Sequence, residues 1–175
     1  MENFVLEKVF GKINDELKSE IQKYGYLVMG VSNFATYSLG VSLKPETSFE
    51  FVVDTNDVQL GNAVIRELVR RVNEGEIFEE EKAYETGPLK VADNYDPKEG
   101  SANINTKFMV VEVDPWTMLD NVALWWDVLP NHKNMETCYL VTLADKDNVL
   151  PMEKEGYNKD KFVKTFFFNK TGSLI

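Results

Sequence analysis

A change in hydrophobic period near Gly25 limits the fold of this chain more than any other sequence feature. Before it, apolar residues recur every three or four positions, which predicts an amphipathic helix from Phe4 to Tyr24 that ends at Gly25. After it come short segments rich in β-branched and aromatic residues, separated by turn-forming residues, at 26–31, 36–43 and 48–54. These segments predict three strands in an antiparallel meander.

The helical period returns after the meander, is lost over a long segment, and then recurs. A second apolar stripe from Leu60 to Val72 predicts a helix that stops at Gly75. Residues 76–103 show no sustained period and predict a long surface excursion with one short strand near Leu89 to Ala92. Three further strands are predicted at 104–113, 137–144 and 162–168, and a third helix at 115–129.

These elements predict a single domain over residues 1–175. A chain of this length buries enough surface to need no disulfide or metal. We expect an α+β fold with a mainly antiparallel sheet of five to six strands and about three helices packed largely on one face. Residues 169–175 are expected to be a frayed tail.

Charge and cysteine use narrow the class of partner. The formal net charge of −10 makes direct electrostatic binding to nucleic acid or an anionic membrane unfavourable. Solubility is the ordinary explanation, although the acidic run from Glu74 to Glu85 also permits mimicry of duplex DNA. Cys138 is the only cysteine, Met1 to Leu6 lack the pattern of a signal peptide, and no apolar run approaches bilayer length. We therefore expect a cytoplasmic protein.

Each catalytic pattern tested in the sequence is weak. Cys138 and His132 lack an orienting third group, and Gly30 to Phe34 lacks the second glycine of a nucleophile elbow. One histidine and one cysteine cannot form a structural zinc site, and no glycine-rich phosphate loop occurs. The acidic loop from Asp145 to Glu153 lacks the glycine of a calcium loop. We expect no metal and no cofactor, and favour a protein that is not an enzyme.

Six residues remain as candidate ligand contacts. Glu50 lies inside an apolar strand, where ordinary alternation favours the solvent face, whereas an inward orientation would require a partner or a raised pKa. Adjacent tryptophans on a helix point about 100° apart, so one of them can be exposed. The candidates are Glu50, Tyr37, Trp125, Trp126, Asp145 and Glu153.

Several short motifs occur in a fixed order along the chain. Gly25 to Val28 and Tyr37 to Val41 are similar to strands written "GW…V" and "YT[IV]GL", Phe49 to Val53 to a "PEL-V" strand, and Leu140 to Tyr157 to an "LVWPD-G-FPWE-GYD" segment. Together they resemble an uncharacterised bacterial and phage family, known as domain of unknown function 4262. The resemblance spans about 25–160, with Phe49, Ala144 and Met152 departing from the pattern.

The resemblance implies a cellular setting but no reaction. The function we expect is a non-catalytic small binding or accessory protein whose partner is a protein or a small nucleotide-like ligand. In a phage setting, it would sequester or block a host defence component, in the host cytoplasm. The alternatives are a hydrolase using Glu50 with Asp145 or Glu153, and an acidic DNA mimic. Phe166 to Phe168, if on an edge strand, would make a homo-oligomer plausible.

Overall fold

The computed structural model describes residues 14–31, 35–44, 46–92, 101–119, 128 and 135–171. The helices are α1 (14–24), α2 (Val58–Asn73), α3 (Pro115–Leu119) and α4 (Lys159–Thr171). The strands are β1 (Leu27–Val31), β2 (Ala35–Leu39), β3 (Phe49–Val53), β4 (Tyr84–Glu85), β5 (Leu89–Ala92), β6 (Ser101–Ile104), β7 (Lys107–Val113) and β8 (Thr137–Leu143). The α+β class is therefore confirmed.

The main sheet has six strands in the order β1-β2-β3-β8-β7-β4, and β5 pairs with β6 in a separate ribbon. The predicted meander of β1, β2 and β3 is confirmed as antiparallel. The sheet is nevertheless mixed, because β3 and β8 run parallel, with Glu50 opposite Cys138. A parallel pair needs a long crossover connection, and here the chain between β3 and β8 supplies it.

The helices lie on both faces of the sheet, so the prediction of one helical face was wrong. On one face, Ile21 of α1 and Phe166 of α4 belong to the same core cluster as Val52. The opposite face packs Ile65 and Leu68 of α2 among the apolar residues that surround Phe51. Phe51, Val52 and Val53 are all fully buried, as expected for a strand covered on both sides.

Residues 162–168 are helical, although their aromatic content predicted a strand. The Asn158 side chain accepts a hydrogen bond from the Lys161 amide at 2.9 Å and so caps the start of α4. Phe162, Val163 and Phe166 are spaced for one helix face, and all three pack in the same core cluster. The edge strand predicted at Phe166 to Phe168 does not exist, and the homo-oligomer loses that argument.

The predicted surface excursion contributes to the core. Phe78, Leu89 and Val91 are buried, and Leu89 and Val91 belong to the β5–β6 ribbon. Arg71 of α2 holds this segment, since its guanidinium donates to the carbonyls of Glu85 at 2.5 Å and Thr86 at 3.1 Å. At the other end of the chain, α4 continues through Thr171, into the predicted frayed tail, and 172–175 lie outside the described residues.

Three charged residues on α2 predict that the stability of the fold falls at acidic pH. Glu67 accepts hydrogen bonds from Arg70 and Arg71, each at 2.8 Å, and the bonds from Arg70 are the main cause that lowers the pKa of Glu67 to about 2. A depressed pKa gives stability that is present above the unfolded value of 4.5 and is lost as the pH falls toward 2.

We expect Glu67→Gln to remove this contribution, which is about 1 kcal/mol after allowance for solvent screening. Urea unfolding at pH 6 and at about pH 2.5 measures it. The difference between wild type and variant should be present at pH 6 and small at the lower pH. Glu155→Gln, at an exposed position, is the control; a Glu67→Gln difference that is equal at both pH values would contradict the assignment.

No helix in the described part of the chain is long and apolar enough to cross a lipid bilayer.

Candidate functional site

Glu50 points into the protein, not toward solvent, so the interpretation favoured by strand alternation was wrong. Its side chain is fully buried, and both carboxylate oxygens are hydrogen-bonded. Oε1 accepts from the amides of Gly40 and Ser42 at 2.9 and 3.0 Å and from Ser42 Oγ at 2.7 Å. Oε2 accepts from Ser38 Oγ at 2.5 Å and the Val41 amide at 3.3 Å. We call this arrangement the Glu50 cage.

The cage forms where β2 and β3 separate. Their paired register covers Thr36 opposite Val53 and Tyr37 opposite Val52. One residue further along β2, the Ser38 hydroxyl enters the gap and accepts the Phe51 amide at 2.8 Å. Ser38 thus replaces a backbone acceptor, and its hydroxyl donates a hydrogen bond to Glu50. The ladder between β2 and β3 therefore ends without leaving the Phe51 amide unpaired.

Glu50 serves as a cap supplied from another strand. The 3₁₀ turn Val41–Leu43 begins after Gly40, whose φ of 109° favours glycine and which has no side chain to cap the turn. The free amides at the start of a helical turn need acceptors, normally from a nearby serine, threonine or aspartate. Here the carboxylate of Glu50 accepts from three consecutive amides, and the strand predicted to reach Leu43 ends at Leu39.

The cage explains Glu50 structurally and leaves it no access to a substrate. Burial raises the pKa of Glu50, while the hydrogen bonds from Ser38, Ser42 and Gly40 lower it. Because five donors occupy its two oxygens and solvent does not reach it, a bound molecule could contact Glu50 only if the corner opened. The hydrolase alternative therefore loses its principal residue.

The other predicted contacts do not gather around Glu50. Tyr37 is a core residue on β2, and burial raises its pKa to about 12. Its role as a ligand contact stays a prediction. Trp125 and Trp126 lie outside the described residues, as does His132. Asp145 follows the far end of β8. It lies seven positions after Cys138, the neighbour of Glu50, and this corresponds to roughly 20 Å along a strand.

Asp145 and Glu153 are occupied in holding their own loop. Asp145 accepts the amides of Asp147 and Val149 and pairs with Lys154 at 2.7 Å. Glu153 accepts the Leu150 amide at 2.7 Å and pairs with Lys107 at 3.0 Å. Hydrogen bonds from Lys154 lower the pKa of Asp145, and the bond from the Leu150 amide lowers that of Glu153. Both carboxylates hold the loop, and their roles as ligand contacts stay predictions.

Cys138 and the acidic run also have structural explanations. Burial raises the pKa of the Cys138 thiol, and the neighbouring Glu50 adds to that effect, which keeps the thiol protonated and unreactive. In the run from Glu74 to Glu85, four carboxylates pair with cations: Glu74 with Arg70, Glu76 with Arg71, Glu79 with Lys82 and Glu80 with Lys159. Paired carboxylates do not present the unneutralised row of charge that a DNA mimic needs.

A groove of about 640 Å³ opens near the C-terminal end of α2, beside the Glu50 corner. Its aromatic wall is formed by Phe49, Phe78 and Tyr139, with Phe49 edge-on to Tyr139 at a centroid distance of 4.8 Å. Ile77 lies at the rim and is 83% exposed. We call this surface the aromatic groove, and its remaining contacts include Lys44, Glu46, Asn73 and Glu76.

The groove offers shape and apolar surface together with a few polar groups. Lys44 Nζ donates to Asn73 Oδ1 at 2.7 Å across the rim. Burial, and then the nearby Glu112, raise the pKa of Tyr139, so its hydroxyl stays protonated at neutral pH. Among the described residues that line the groove there is no histidine, cysteine or serine. The described arrangement is therefore suited to binding, and within the described residues no cluster of three or more acidic, histidine or cysteine side chains could hold a metal ion.

No protein-family model matches the chain, and no curated protein or solved structure matches it. The resemblance to domain of unknown function 4262 therefore stays a prediction.

The aromatic groove was not predicted from the sequence, although one signal was visible. Ile77 and Phe78 form an apolar pair between Glu76 and Glu79, just after the helix stop at Gly75 and outside any helical or strand period. An apolar residue without a period is a candidate for exposure, and this one projects beyond the fold. Phe49 and Tyr139 could not be assigned to the groove, because they are 90 residues apart and meet only through the parallel pairing of β3 with β8.

Proposed function

We propose that this chain is a non-catalytic binding protein and that the aromatic groove receives an apolar side chain of a protein partner. The exposed Ile77 beside an aromatic wall is the observation that carries the proposal. The groove volume of about 640 Å³ lies within the usual range of ligand sites, and clustered aromatic side chains dominate the energetics of many interfaces.

The charges at the rim favour a protein over a nucleotide-like ligand. A phosphate entering the groove would meet the carboxylate of Glu46, whereas Lys44 already donates to Asn73. Ile77 would also remain largely exposed beside a small ligand, while a protein surface could cover it. The nucleotide-like ligand is the alternative outcome of the test.

Native mass spectrometry of the protein purified from its own host, or from an infected cell, is the first experiment. A copurifying protein chain supports the proposal, a retained small molecule supports the alternative, and a clean monomer counts against both. The phage setting implied by the resemblance makes a host defence component the expected identity of that chain.

We expect Ile77→Glu to weaken binding of that copurified chain by about thirtyfold, which corresponds to the loss of about 2 kcal/mol typical of an interface hot spot. Because Ile77 is 83% exposed, the substitution should leave folding intact, which circular dichroism checks. Val58→Glu, at an exposed apolar position on α2 that does not line the groove, is the matched control. Equal affinity of Ile77→Glu and wild type, by calorimetry, would remove the groove from the proposal.

A further inference from the structure

A second groove runs along β1, the first strand in the order of the main sheet. Val28 of β1 and Tyr26, just before β1, face α2. Asn62 and Arg66 of α2 form the facing wall. Tyr24, which is 58% exposed, lies at the groove as well. The groove has a volume of about 530 Å³ and is lined by a strand on one side and a helix on the other.

The outer edge of β1 carries backbone groups that the sheet does not use. β1 pairs with β2 over Leu27 to Val31, and within the described residues no strand pairs with its other side. In an antiparallel pair, alternate residues direct their N–H and C=O groups away from the partner strand. An unpaired row of this kind is a template for the backbone of another extended chain.

The charge of the groove differs in sign from that of the whole protein. The chain has a formal net charge of −10, yet the described residues that line the groove include Arg66 and no acidic residue. Lys23 adds a second cation nearby, with its Nζ 4.7 Å from the centroid of the Tyr24 ring. Arg66 is exposed, and no ion pair of it occurs among the described residues. An arginine in such a position selects for a carboxylate.

We infer that β1 binds an extended peptide segment by strand addition, with one apolar side chain between β1 and α2 and a carboxylate against Arg66. The backbone of the segment would pair with the outer edge of β1, while Tyr26 and Val28 contact its apolar side chain. The carboxylate is an acidic side chain or the C-terminus of the segment, since both carry the same chemistry. This surface is separate from the aromatic groove and does not depend on it.

Fluorescent octapeptides of alternating valine and threonine, with one central glutamate and an amidated C-terminus, provide the probe. A second peptide has glutamine at the centre and a free C-terminal carboxylate, a third lacks both carboxylates, and a fourth is the first with alternate backbone nitrogens methylated. Either the first or the second peptide should bind. Which of the two binds shows whether Arg66 contacts an acidic side chain or a C-terminus. The third peptide should bind at least about tenfold more weakly, because a charge-assisted hydrogen bond is lost, and the fourth should not bind.

Amide NMR shifts locate the binding. We expect the shifts to move at Leu27 to Val31 and around Asn62 and Arg66, and Arg66→Glu to weaken binding by at least about tenfold. Lys90→Glu, an exposed position on β5 with the same change in charge, should bind as wild type does. Equal binding by the methylated peptide, shifts confined to the aromatic groove, no binding at millimolar peptide, or a dimer through β1 in sedimentation would each overturn the inference.

Discussion

Replacing Glu50 with alanine is expected to lower the free energy of unfolding by about 4 kcal/mol. The change leaves the amides of Gly40, Val41 and Ser42 buried without their acceptor, and each such loss costs about 1–3 kcal/mol. Water entering the vacated space would recover part of that cost. Since domains of this kind have total stabilities of about 5–15 kcal/mol, the loss would be a large fraction of the whole.

Urea unfolding of a graded series tests whether Glu50 stabilises the corner by capping it. Glu50→Gln keeps the volume and one acceptor oxygen but turns an amide NH₂ toward other donors, so an intermediate loss of about 2 kcal/mol is expected. Ser42→Ala removes one donor and leaves every amide satisfied, so about 1 kcal/mol is expected. Glu155→Ala, at an exposed position, should change stability by less than about 0.5 kcal/mol.

The outcome also bears on function, because Glu50 was the most suggestive single acid in the sequence. A loss below about 1 kcal/mol for Glu50→Ala would mean that the corner does not depend on the carboxylate. A buried acid that contributes nothing to stability would again be a candidate for catalysis or ligand binding. A large loss keeps Glu50 as the residue that caps the turn after β2.

Local period predicted the elements well where one signal dominated. The stripe on α2, with Val64, Ile65 and Leu68 buried, and the short strands β1, β2 and β3 are both set by neighbouring residues. The strand prediction for residues 162–168 was wrong because it, too, used only the local sequence. Three consecutive phenylalanines suggest a strand by composition, whereas the Asn158 cap and the spacing of Phe162 to Phe166 decide for a helix.

Features that join distant parts of the chain could not be predicted from period alone. The parallel pairing of β3 with β8 depends on a crossover of more than 80 residues, and without it the sheet was expected to be mainly antiparallel. The burial of Glu50 could not be predicted either. Strand alternation shows only that its side chain lies on the opposite face from those of Phe49 and Phe51, not which face is buried. Its donors Ser38, Gly40 and Ser42 come from 8 to 12 residues earlier, and only the folded corner brings them to one carboxylate.

Replacing Gly61 with alanine is expected to destabilise the protein by about 2 kcal/mol, although helix propensity alone predicts a gain of about 1 kcal/mol. Gly61 lies within α2, directly against Thr36 on β2. A Cβ at this glycine would clash with Cβ of Thr36, since the two atoms would lie well inside ordinary contact distance. Because Thr36 is fully buried and its hydroxyl donates to the Thr55 carbonyl at 3.1 Å, it has little freedom to move aside.

The whole of α2 would therefore have to shift, and with it the packing of Val64, Ile65 and Leu68 on the sheet. A double-mutant cycle isolates this contact from the general effects of each substitution. In a Thr36→Gly background the new methyl group has space, so Gly61→Ala should cost at least about 1 kcal/mol less than it does in wild type. If Gly61→Ala stabilised the protein in the wild-type background, α2 and β2 would not be in close contact, and the packing of α2 on this face of the sheet would differ from the one described.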